Sequence, residues 1–217
     1  MHESPRPPWA AAVIAHGLFS SMQSEKLTRL ADTLAWQGCA TLRFDHAGCG
    51  ESPGEVRRAT LTGRRDEYLA AARRMAEVHP GLPLVYLGSS LGGTAALLAS
   101  RELPPACLAL WSAPMDMAEL MADMSARPDP PDLPEMAADL ARHDLRALLA
   151  RTKGALFVHG ERDEVVPVAQ ARLGHRLAAT PKALCVLPEA DHRLSRIEHQ
   201  LQATARTLEW IRLMLGR

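Results

Sequence analysis

Short apolar runs recur along the chain, and each is long enough for one β-strand. Alanine, leucine, β-branched and aromatic residues fill these runs almost without a polar interruption, which is typical of strands covered on both faces of a sheet. We therefore predict six buried strands. They span residues 10–15, 39–44, 84–87, 107–111, 155–158 and 183–187.

Segments with the helical spacing of apolar residues alternate with these runs, at 22–36, 62–78, 91–101 and 168–179. Strands that alternate with helices form a parallel sheet covered by helices on both sides, so the predicted fold class is α/β. A last amphipathic segment, 194–215, is expected to pack on the sheet through one apolar stripe. The stripe consists of Leu194, Ile197, Leu201, Leu208, Ile211 and Leu215.

Residues 114–151 interrupt the alternation, because they contain five methionines, five prolines and short helical pieces but no strand-like run. Proline-punctuated excursions between two strands commonly lie above the sheet as a lid. A chain of 217 residues with 47% hydrophobic content suits one core rather than two. We therefore expect a single domain over residues 1–217, with 114–151 as its lid or cap.

The charge balance limits the classes of partner. The 25 basic and 25 acidic residues leave no net charge, so the chain has no basic field for nucleic acid or an anionic membrane surface. Its four cysteines lack a CxxC pair, which favours reduced thiols. The first residues, MHESPRPPW, do not resemble a signal peptide, and no apolar run reaches 18 residues. We expect a cytoplasmic protein without a membrane span that acts on a small molecule.

The stretch Gly88-Ser89-Ser90-Leu91-Gly92 lies between a predicted strand and a predicted helix and fits the pattern G-x-S-x-G. In this pattern the central serine occupies a sharp, strained turn, and the flanking glycines let strand and helix approach each other. Ser90 has this frame and Ser89 does not. Because a glycine turn also occurs for packing alone, the assignment of Ser90 as a nucleophile depends on whether the chain supplies partners.

A serine nucleophile needs a histidine base and a carboxylate that orients the histidine. In a parallel sheet, such groups collect in the loops beyond the carboxyl ends of the strands. Asp163 follows the predicted strand 155–158, and His192 follows the strand 183–187. We therefore predict Ser90, Asp163 and His192 as a catalytic triad, with Glu161 and Glu164 as alternative acids.

The segments HGLFSS, RFDHAGCGES, GSSLGG, HGERDEVVP and ADHRLS resemble the corresponding stretches of esterases, thioesterases and lipases of the α/β-hydrolase superfamily, over residues 10–196. GSSLGG, RFDHAGCGES and DHR are especially similar to small carboxylesterases and to depalmitoylating acyl-protein thioesterases. The resemblance implies a minimal α/β-hydrolase fold and the same three triad residues. It also implies the strand order 4-3-5-6-7-8 in the family's numbering, which is 2-1-3-4-5-6 along this chain. The nine residues before the first strand are too few for the family's opening antiparallel pair.

Hydrolysis through a tetrahedral intermediate requires backbone N–H donors for the developing oxyanion. The amide of Leu91, at the start of a predicted helix, is one candidate. The resemblance places the second donor on Leu18, with Phe19 as the alternative. Flexible methionine side chains of the lid either line an adaptable acyl or aryl pocket or simply pack the cap. The candidate pocket residues are Phe19, Met115, Met117, Met121 and Val165.

Other polar residues beside the strands receive structural roles. The resemblance identifies His16 as structural, and we interpret His159 in the same way, Asp45 as a loop-shaping residue and Asp191 as local support for its neighbour. Surface positions are expected for His46, His143 and His199.

The spacings H-x-H, HExxH and CxxC are absent, and no lysine follows the glycines as in a P-loop. We expect no metal and no cofactor.

The sequence therefore predicts a serine hydrolase that cleaves carboxylic esters of small or medium acyl or aryl groups through an acyl-enzyme. The alternative within the same chemistry is an acyl-thioesterase or depalmitoylase, which uses the same groups with a different leaving group. The alternative from another class is a ligand-binding protein that keeps the fold without catalysis.

Overall fold

A computed structural model describes residues 7–126, 128 and 130–217 of the chain. Its centre is one parallel sheet of six strands in the order β2-β1-β3-β4-β5-β6, which confirms both the predicted class and the predicted strand order. The strands are β1 (Ala10–Ala15), β2 (Cys39–Phe44), β3 (Leu84–Ser89), β4 (Cys107–Trp111), β5 (Ala155–Gly160) and β6 (Lys182–Leu187).

Eight α-helices connect and cover these strands in the described part of the chain. They are α1 (Glu25–Trp36), α2 (Leu61–Val78), α3 (Leu91–Ala99), α4 (Met117–Ser125), α5 (Pro134–Asp139), α6 (Leu145–Leu149), α7 (Ala169–Leu177) and α8 (Ile197–Met214). Two single 3-10 turns lie at Val56–Arg58 and Leu140–Arg142. Within the described residues, no helix is long and apolar enough to cross a membrane.

The sheet separates two apolar cores, because successive side chains of a strand point to opposite faces. Along β1, Ala11 and Val13 contribute to the core covered by α2, α3 and α7, whereas Ala12 and Ile14 contribute to the core covered by α1 and α8. Burial on both faces is complete for the central strands, as predicted. The edge strands β2 and β6 are only partly buried, because each has a neighbour on one side alone.

The predicted stripe of the last helix is wrong in part. Ile197 and Leu201 are 40% and 52% exposed, whereas Ile211 is buried as predicted, and Thr207 joins it on the packing face. The hydroxyl of Thr207 accepts a 2.9 Å hydrogen bond from the indole Nε1 of Trp111 in β4. A face that contains threonines and binds a buried polar atom is not visible as a hydrophobic stripe.

Residues 114–151, called the insertion below, form α4, α5, the second 3-10 turn and α6, and their described part contains no strand. Side chains fasten the insertion to the main body at two places. At its start, the Gln170 side chain of α7 accepts hydrogen bonds from the amides of Met115 and Asp116 at 2.9 and 2.7 Å. At the end of α5, the Asp139 carboxylate accepts hydrogen bonds from the amide and hydroxyl of Thr62 at 2.7 and 2.8 Å.

Candidate active site

Ser90 occupies a strained turn between β3 and α3. Its φ of 54° and ψ of −130° lie in a region that non-glycine residues rarely adopt. The turn is held by a 2.8 Å hydrogen bond from the Ser90 amide to the Trp111 carbonyl and by a 2.9 Å bond from the Gly93 amide to the Ser90 carbonyl. These bonds present the side chain at the carboxyl end of the sheet, where the sequence predicts it.

The glycines around Ser90 are required by close backbone contacts. A Cβ atom on Gly88 would lie 2.3 Å from the carbonyl oxygen of Gly92, and one on Gly92 would lie 2.4 Å from the carbonyl oxygen of His16. Real Cβ atoms essentially never approach that closely. Strand β3, helix α3 and the end of β1 therefore meet here through bare backbone, which fixes Ser90 against the loop after β1.

Asp163 lies in the loop after β5 with its side chain fully buried. Its Oδ1 atom accepts hydrogen bonds from the amides of Val165 and Val166 at 3.0 and 2.7 Å. Burial alone would raise the pKa of this carboxyl, but hydrogen bonds from His159 and His192 outweigh burial and hold the pKa well below its usual value. The group is therefore a carboxylate at neutral pH.

His192 follows β6 and faces Asp163. The distances from its Nδ1 atom to Oδ2 and Oδ1 of Asp163 are 2.8 and 3.0 Å. Since an ionised carboxylate only accepts hydrogen bonds, the proton belongs on Nδ1, and the lone pair of Nε2 is left for another partner. The backbone of His192 is held too, by its amide on Glu164 Oε2 at 3.2 Å and its carbonyl on Lys26 Nζ at 3.2 Å.

Ser90 and His192 line the same cavity, whose volume is about 610 Å³. The structure thus brings the three predicted triad residues to one edge of the sheet, with Asp163 behind His192. Sheet order explains the arrangement, because β3 and β5 flank β4 and β6 follows at the edge. Their loops all leave the carboxyl end of a parallel sheet on the same side.

The loop after β1 passes directly beside Ser90. A Cβ atom on Gly17 would lie 3.0 Å from Cβ of Ser90, and both Leu18 and Leu91 line the cavity. His16 Nδ1 lies 2.6 Å from the carbonyl oxygen of Gly17, and its Nε2 accepts the amide of His46 at 3.0 Å. The Gly17–Leu18 peptide is therefore held through its carbonyl, which directs its N–H away from His16. Burial lowers the pKa of His16 to about 4, so the ring is neutral.

Four of the five predicted pocket residues line the cavity, and they are Phe19, Met117, Met121 and Val165. Met115 does not line it. Its side chain is completely buried and packs near Gly174 of α7, so it belongs to the core that supports the cavity. The insertion further contributes Leu120, Met124, Leu133 and Met136 to the lining.

Sequence reasoning missed a polar wall of the cavity. This wall includes Ser20, Ser24, Lys26, Arg193, Ser195 and Gln200. Its residues come from the start of α1 and from the segment after the predicted base. The one signal in the sequence is positional, since α1 begins soon after the first strand, at the same end of the sheet as the predicted triad residues.

The histidines outside the predicted triad are less exposed than expected. The expected surface positions of His46, His143 and His199 are wrong, because all three side chains are buried or nearly so. His46 Nδ1 pairs with the Glu67 carboxylate, and His143 Nε2 lies 2.9 Å from the Thr62 hydroxyl and 3.2 Å from Asp139. Hydrogen bonds with these partners make the burial of His46 and His143 possible, whereas Nδ1 of the buried His199 has no hydrogen-bond partner among the described residues.

The acids beside the predicted triad residues have the local contacts that their predicted roles require. Asp45 accepts the amides of Met22 and Glu51 at 2.7 and 3.1 Å and so closes the loop after β2. Asp191 accepts the amide and hydroxyl of Ser195 at 2.8 and 2.5 Å. Both carboxylates serve turns.

Fold and site together define an α/β-hydrolase with a serine at the strand-to-helix turn. The sequence model described as "Serine aminopeptidase, S33" matches residues 6–143. The chain belongs to this family of α/β-hydrolases.

Two uncharacterised proteins of Mycobacterium tuberculosis are each 31% identical to the chain over 179 residues, which is 79% of this chain. The chain spans 58% of the length of these relatives. Among solved structures, Est1E of Butyrivibrio proteoclasticus with bound ferulic acid has a TM-score of 0.85 at 20% identity, covering 100% of this chain and 94% of that one. The esterase domain of a Rhodothermus marinus protein has a TM-score of 0.75 at 25% identity, covering 97% and 89%.

Proposed function

We propose that the protein is a serine hydrolase that cleaves carboxylic esters through an acyl-enzyme on Ser90. The observation that carries the proposal is the His192–Asp163 pair, hydrogen-bonded at 2.8 Å, which opens into the same cavity as Ser90. A strained serine alone is compatible with packing. A serine that shares a cavity with a histidine on a buried carboxylate has the parts of a nucleophile and its base.

In the proposed reaction, His192 Nε2 takes the proton of the Ser90 hydroxyl as its oxygen attacks the ester carbonyl carbon. The carbonyl oxygen becomes an oxyanion, for which the amides of Leu18 and Leu91 are the donors. The ester C–O bond then breaks, and the leaving oxygen receives the proton from His192. Water repeats the sequence on the acyl-enzyme, releasing the carboxylic acid and restoring the Ser90 hydroxyl.

Asp163 acts through His192 in this proposal. Its carboxylate keeps the Nδ1 proton in place, so that Nε2 is the basic atom, and it stabilises the imidazolium that forms in each half-reaction. The depressed pKa of Asp163 keeps this negative charge through the neutral range. His159 Nε2 donates to the Val166 carbonyl at 2.8 Å and also lies 3.1 Å from Oδ2, on the far side of the same carboxylate.

The charges of the cavity favour an ester over an N-terminal peptide, although the family takes its name from an aminopeptidase. An aminopeptidase must bind the α-ammonium group of its substrate, for which a carboxylate is the usual partner. Glu25 is the one acidic residue among the described lining residues, and it is already paired with Arg29 at 2.9 Å. The other charged residues of the lining are the cations Lys26 and Arg193, and most of the rest of the lining is apolar.

A thioester is the second candidate substrate, because the methionine-rich wall contacts the acyl chain, which esters and thioesters share. The flexible, polarizable side chains of this wall fit an aliphatic acyl chain whichever heteroatom links the chain to the leaving group. The same serine, base and oxyanion donors would act on either bond. Comparing kcat/KM for matched oxygen and thiol esters of the same acyl length decides between the two.

The two neighbouring serines provide a matched test. Ser90→Ala should lower p-nitrophenyl ester turnover by roughly 10⁴-fold or more and abolish labelling by a fluorophosphonate probe, because no nucleophile remains. Ser89→Ala should remain labelled, since Ser89 ends β3 and lacks the strained turn. Full turnover by folded Ser90→Ala, or failure of the probe to label the unmodified protein, would overturn the proposal in favour of a non-catalytic ligand-binding protein.

A further inference from the structure

The cavity beside Ser90 has two unlike walls. The insertion supplies an apolar wall made of Met117, Leu120, Met121, Met124, Leu133 and Met136. The start of α1 and the segment after His192 supply the polar wall described above. A substrate that contacts both walls is apolar at one end and polar at the other.

Lys26 is the half-buried cation of the polar wall. Its Nζ atom donates one hydrogen bond, to the His192 carbonyl at 3.2 Å, and an ammonium group has three donors. Among the described residues, Lys26 forms no ion pair with a carboxylate. Burial lowers its pKa to about 8 in spite of the opposing attraction of Asp163 and Asp191. The charge is therefore present at neutral pH but poorly compensated.

The carboxylates around Lys26 are engaged elsewhere. Asp163 accepts two amides and faces two histidines, as described above, and Asp191 accepts both the amide and the hydroxyl of Ser195. Glu164 accepts the His192 amide at 3.2 Å. None of these three carboxylates lines the cavity, so the polar wall keeps room for an anion supplied from outside.

Arg193 adds a second positive charge to the same wall. It directly follows His192, is exposed, and forms no ion pair within the part of the chain that the structure describes. A guanidinium group stays charged at every accessible pH and binds carboxylates through parallel N–H donors. With Glu25 neutralised by Arg29, the polar wall presents two cations to a bound molecule.

We propose that Lys26 and Arg193 form a subsite for a carboxylate, so that the preferred ester carries an apolar group at one end and a carboxylate at the other. This inference rests on the proposed hydrolysis at Ser90. With the scissile carbonyl at Ser90 and the apolar group against the methionines, the remaining end of the ester faces the polar wall. The carboxylate there accepts hydrogen bonds from the Lys26 ammonium and the Arg193 guanidinium.

Two pairs of nearly isosteric esters test the subsite for either orientation of the ester bond. The first pair is 4-carboxyphenyl butyrate and 4-carbamoylphenyl butyrate, with the charge on the leaving group. The second is the monophenyl ester of succinic acid and its succinamic acid counterpart, with the charge on the acyl group. In one of the pairs, we expect the carboxylate ester to have about tenfold higher kcat/KM than its amide, mainly through a lower KM.

The variants Lys26→Met and Arg193→Gln should each reduce this carboxylate-to-amide ratio, and the double variant should bring it to about one. Lys182→Met is the matched control. Lys182 Nζ also donates to backbone carbonyls, those of Ala178 at 2.7 Å and Arg176 at 3.2 Å, but it lies outside the cavity. This control should keep the ratio of the unmodified protein.

The outcomes separate the subsite from the hydrolase proposal. Equal kcat/KM within both pairs would overturn the subsite while leaving ester hydrolysis intact. A Lys26→Met variant that loses activity on both members of a pair by the same factor would also overturn it, because Lys26 would then merely position His192. Absence of Ser90-dependent turnover on all esters, including p-nitrophenyl esters, would instead reject the proposed function.

Discussion

The carboxyl end of the sheet and the insertion face each other across one cavity, but they are built in opposite ways. At the sheet, backbone meets backbone: Gly92 lies against the carbonyl of His16, and the Ser90 amide bonds the Trp111 carbonyl. The insertion is fastened through side chains, by Gln170 at its start and by Asp139 at the end of α5. Backbone contacts at the sheet fix the positions of neighbouring atoms, whereas the side chains of the insertion can be substituted one at a time.

This difference divides the proposed function. Chemistry needs the nucleophile, base and oxyanion donors held to a fraction of an ångström, and backbone contacts provide such constraint. Choice of substrate needs a surface whose shape varies without disturbing the reaction. We therefore expect changes at the sheet to lower turnover for all esters alike, and changes in the insertion to alter the preference among esters.

The largest effect should come from Asp163→Asn at the sheet. The amide cannot hold the Nδ1 proton of His192 as a carboxylate does, so kcat should fall by about 10⁴-fold. The fall should be equal for p-nitrophenyl acetate and octanoate, measured at saturating substrate. Asp191→Asn is the control, since its carboxylate serves Ser195, and it should cost far less. A chain-length-dependent loss in Asp163→Asn would break the division between the regions.

Next in size is the effect of a single methyl group at Gly92. Its Cβ atom would meet the carbonyl oxygens of His16 and Ala15 at 2.4 and 2.5 Å, so Gly92→Ala must displace the loop that carries Leu18. We expect kcat/KM to fall by about 100-fold and the free energy of unfolding to fall by about 1–3 kcal/mol.

Gly63→Ala is the matched control for that methyl group. Gly63 also lies in the first turn of a helix, and its added Cβ would meet only the Thr60 hydroxyl, at 3.0 Å. Stability should change by no more than about 1 kcal/mol, and activity should persist. If both alanine variants behaved alike in urea unfolding and turnover, the close backbone contact at Gly92 would have no special importance.

Acid should distinguish the regions as well. The pKa of His16 is lowered from 6.5 to about 4 by burial, so the unfolded chain binds a proton there first, and stability falls as pH drops from about 6.5 towards 4. From pH 7.5 to 5 this group contributes a loss of about 2 kcal/mol. The pKa of His46 is also lowered, in the same direction. Asp139 of the insertion has a lowered carboxyl pKa, so its contribution persists to below pH 3.8.

Urea unfolding at pH 7.5 and pH 5 tests this difference. The loss of stability between the two values should shrink by about 2 kcal/mol in His16→Gln, whatever its absolute stability. Asp139→Asn should change the loss much less, because its carboxylate stays ionised over this interval and the variant only removes a partner of His143. An equal effect of both variants would show that acid acts on the two regions alike.

The features that the sequence predicts well are local. Ser90, Asp163 and His192 each follow a short apolar run, and the rule that loops beyond parallel strands meet at one edge brings them together without knowledge of any tertiary contact. Strand order follows from the family resemblance. The main difference in the strands is that β3 and β5 extend two residues further, to Ser89 and Gly160.

The features that the sequence missed depend on distant partners. Lys26 donates to a carbonyl 166 residues away, and Thr207 of α8 bonds an indole 96 residues away, so no window of sequence contains both groups. The surface position expected for His46 is wrong because the burial of its ring depends on a pairing with Glu67 of α2, 21 residues later in the chain. Hydropathy describes single positions, whereas these burials are properties of pairs.

The smallest expected effect on catalysis concerns two methionines of the insertion that a sequence pattern treats as equivalent. Met121 lines the cavity, and Met115 is completely buried beneath it. Met121→Ala enlarges the apolar wall, so the ratio of kcat/KM for p-nitrophenyl octanoate to that for the acetate should change by up to about tenfold, with little loss of stability.

Met115→Ala should do the reverse. Truncation of a buried methionine leaves a cavity in the core, so the free energy of unfolding should fall by about 2–5 kcal/mol. The chain-length ratio should stay near that of the unmodified protein. Chain-length profiles and urea unfolding of both variants check the pair. If Met115→Ala altered the profile as much as Met121→Ala, then packing within the insertion, rather than contact with the acyl group, would set the preference among esters.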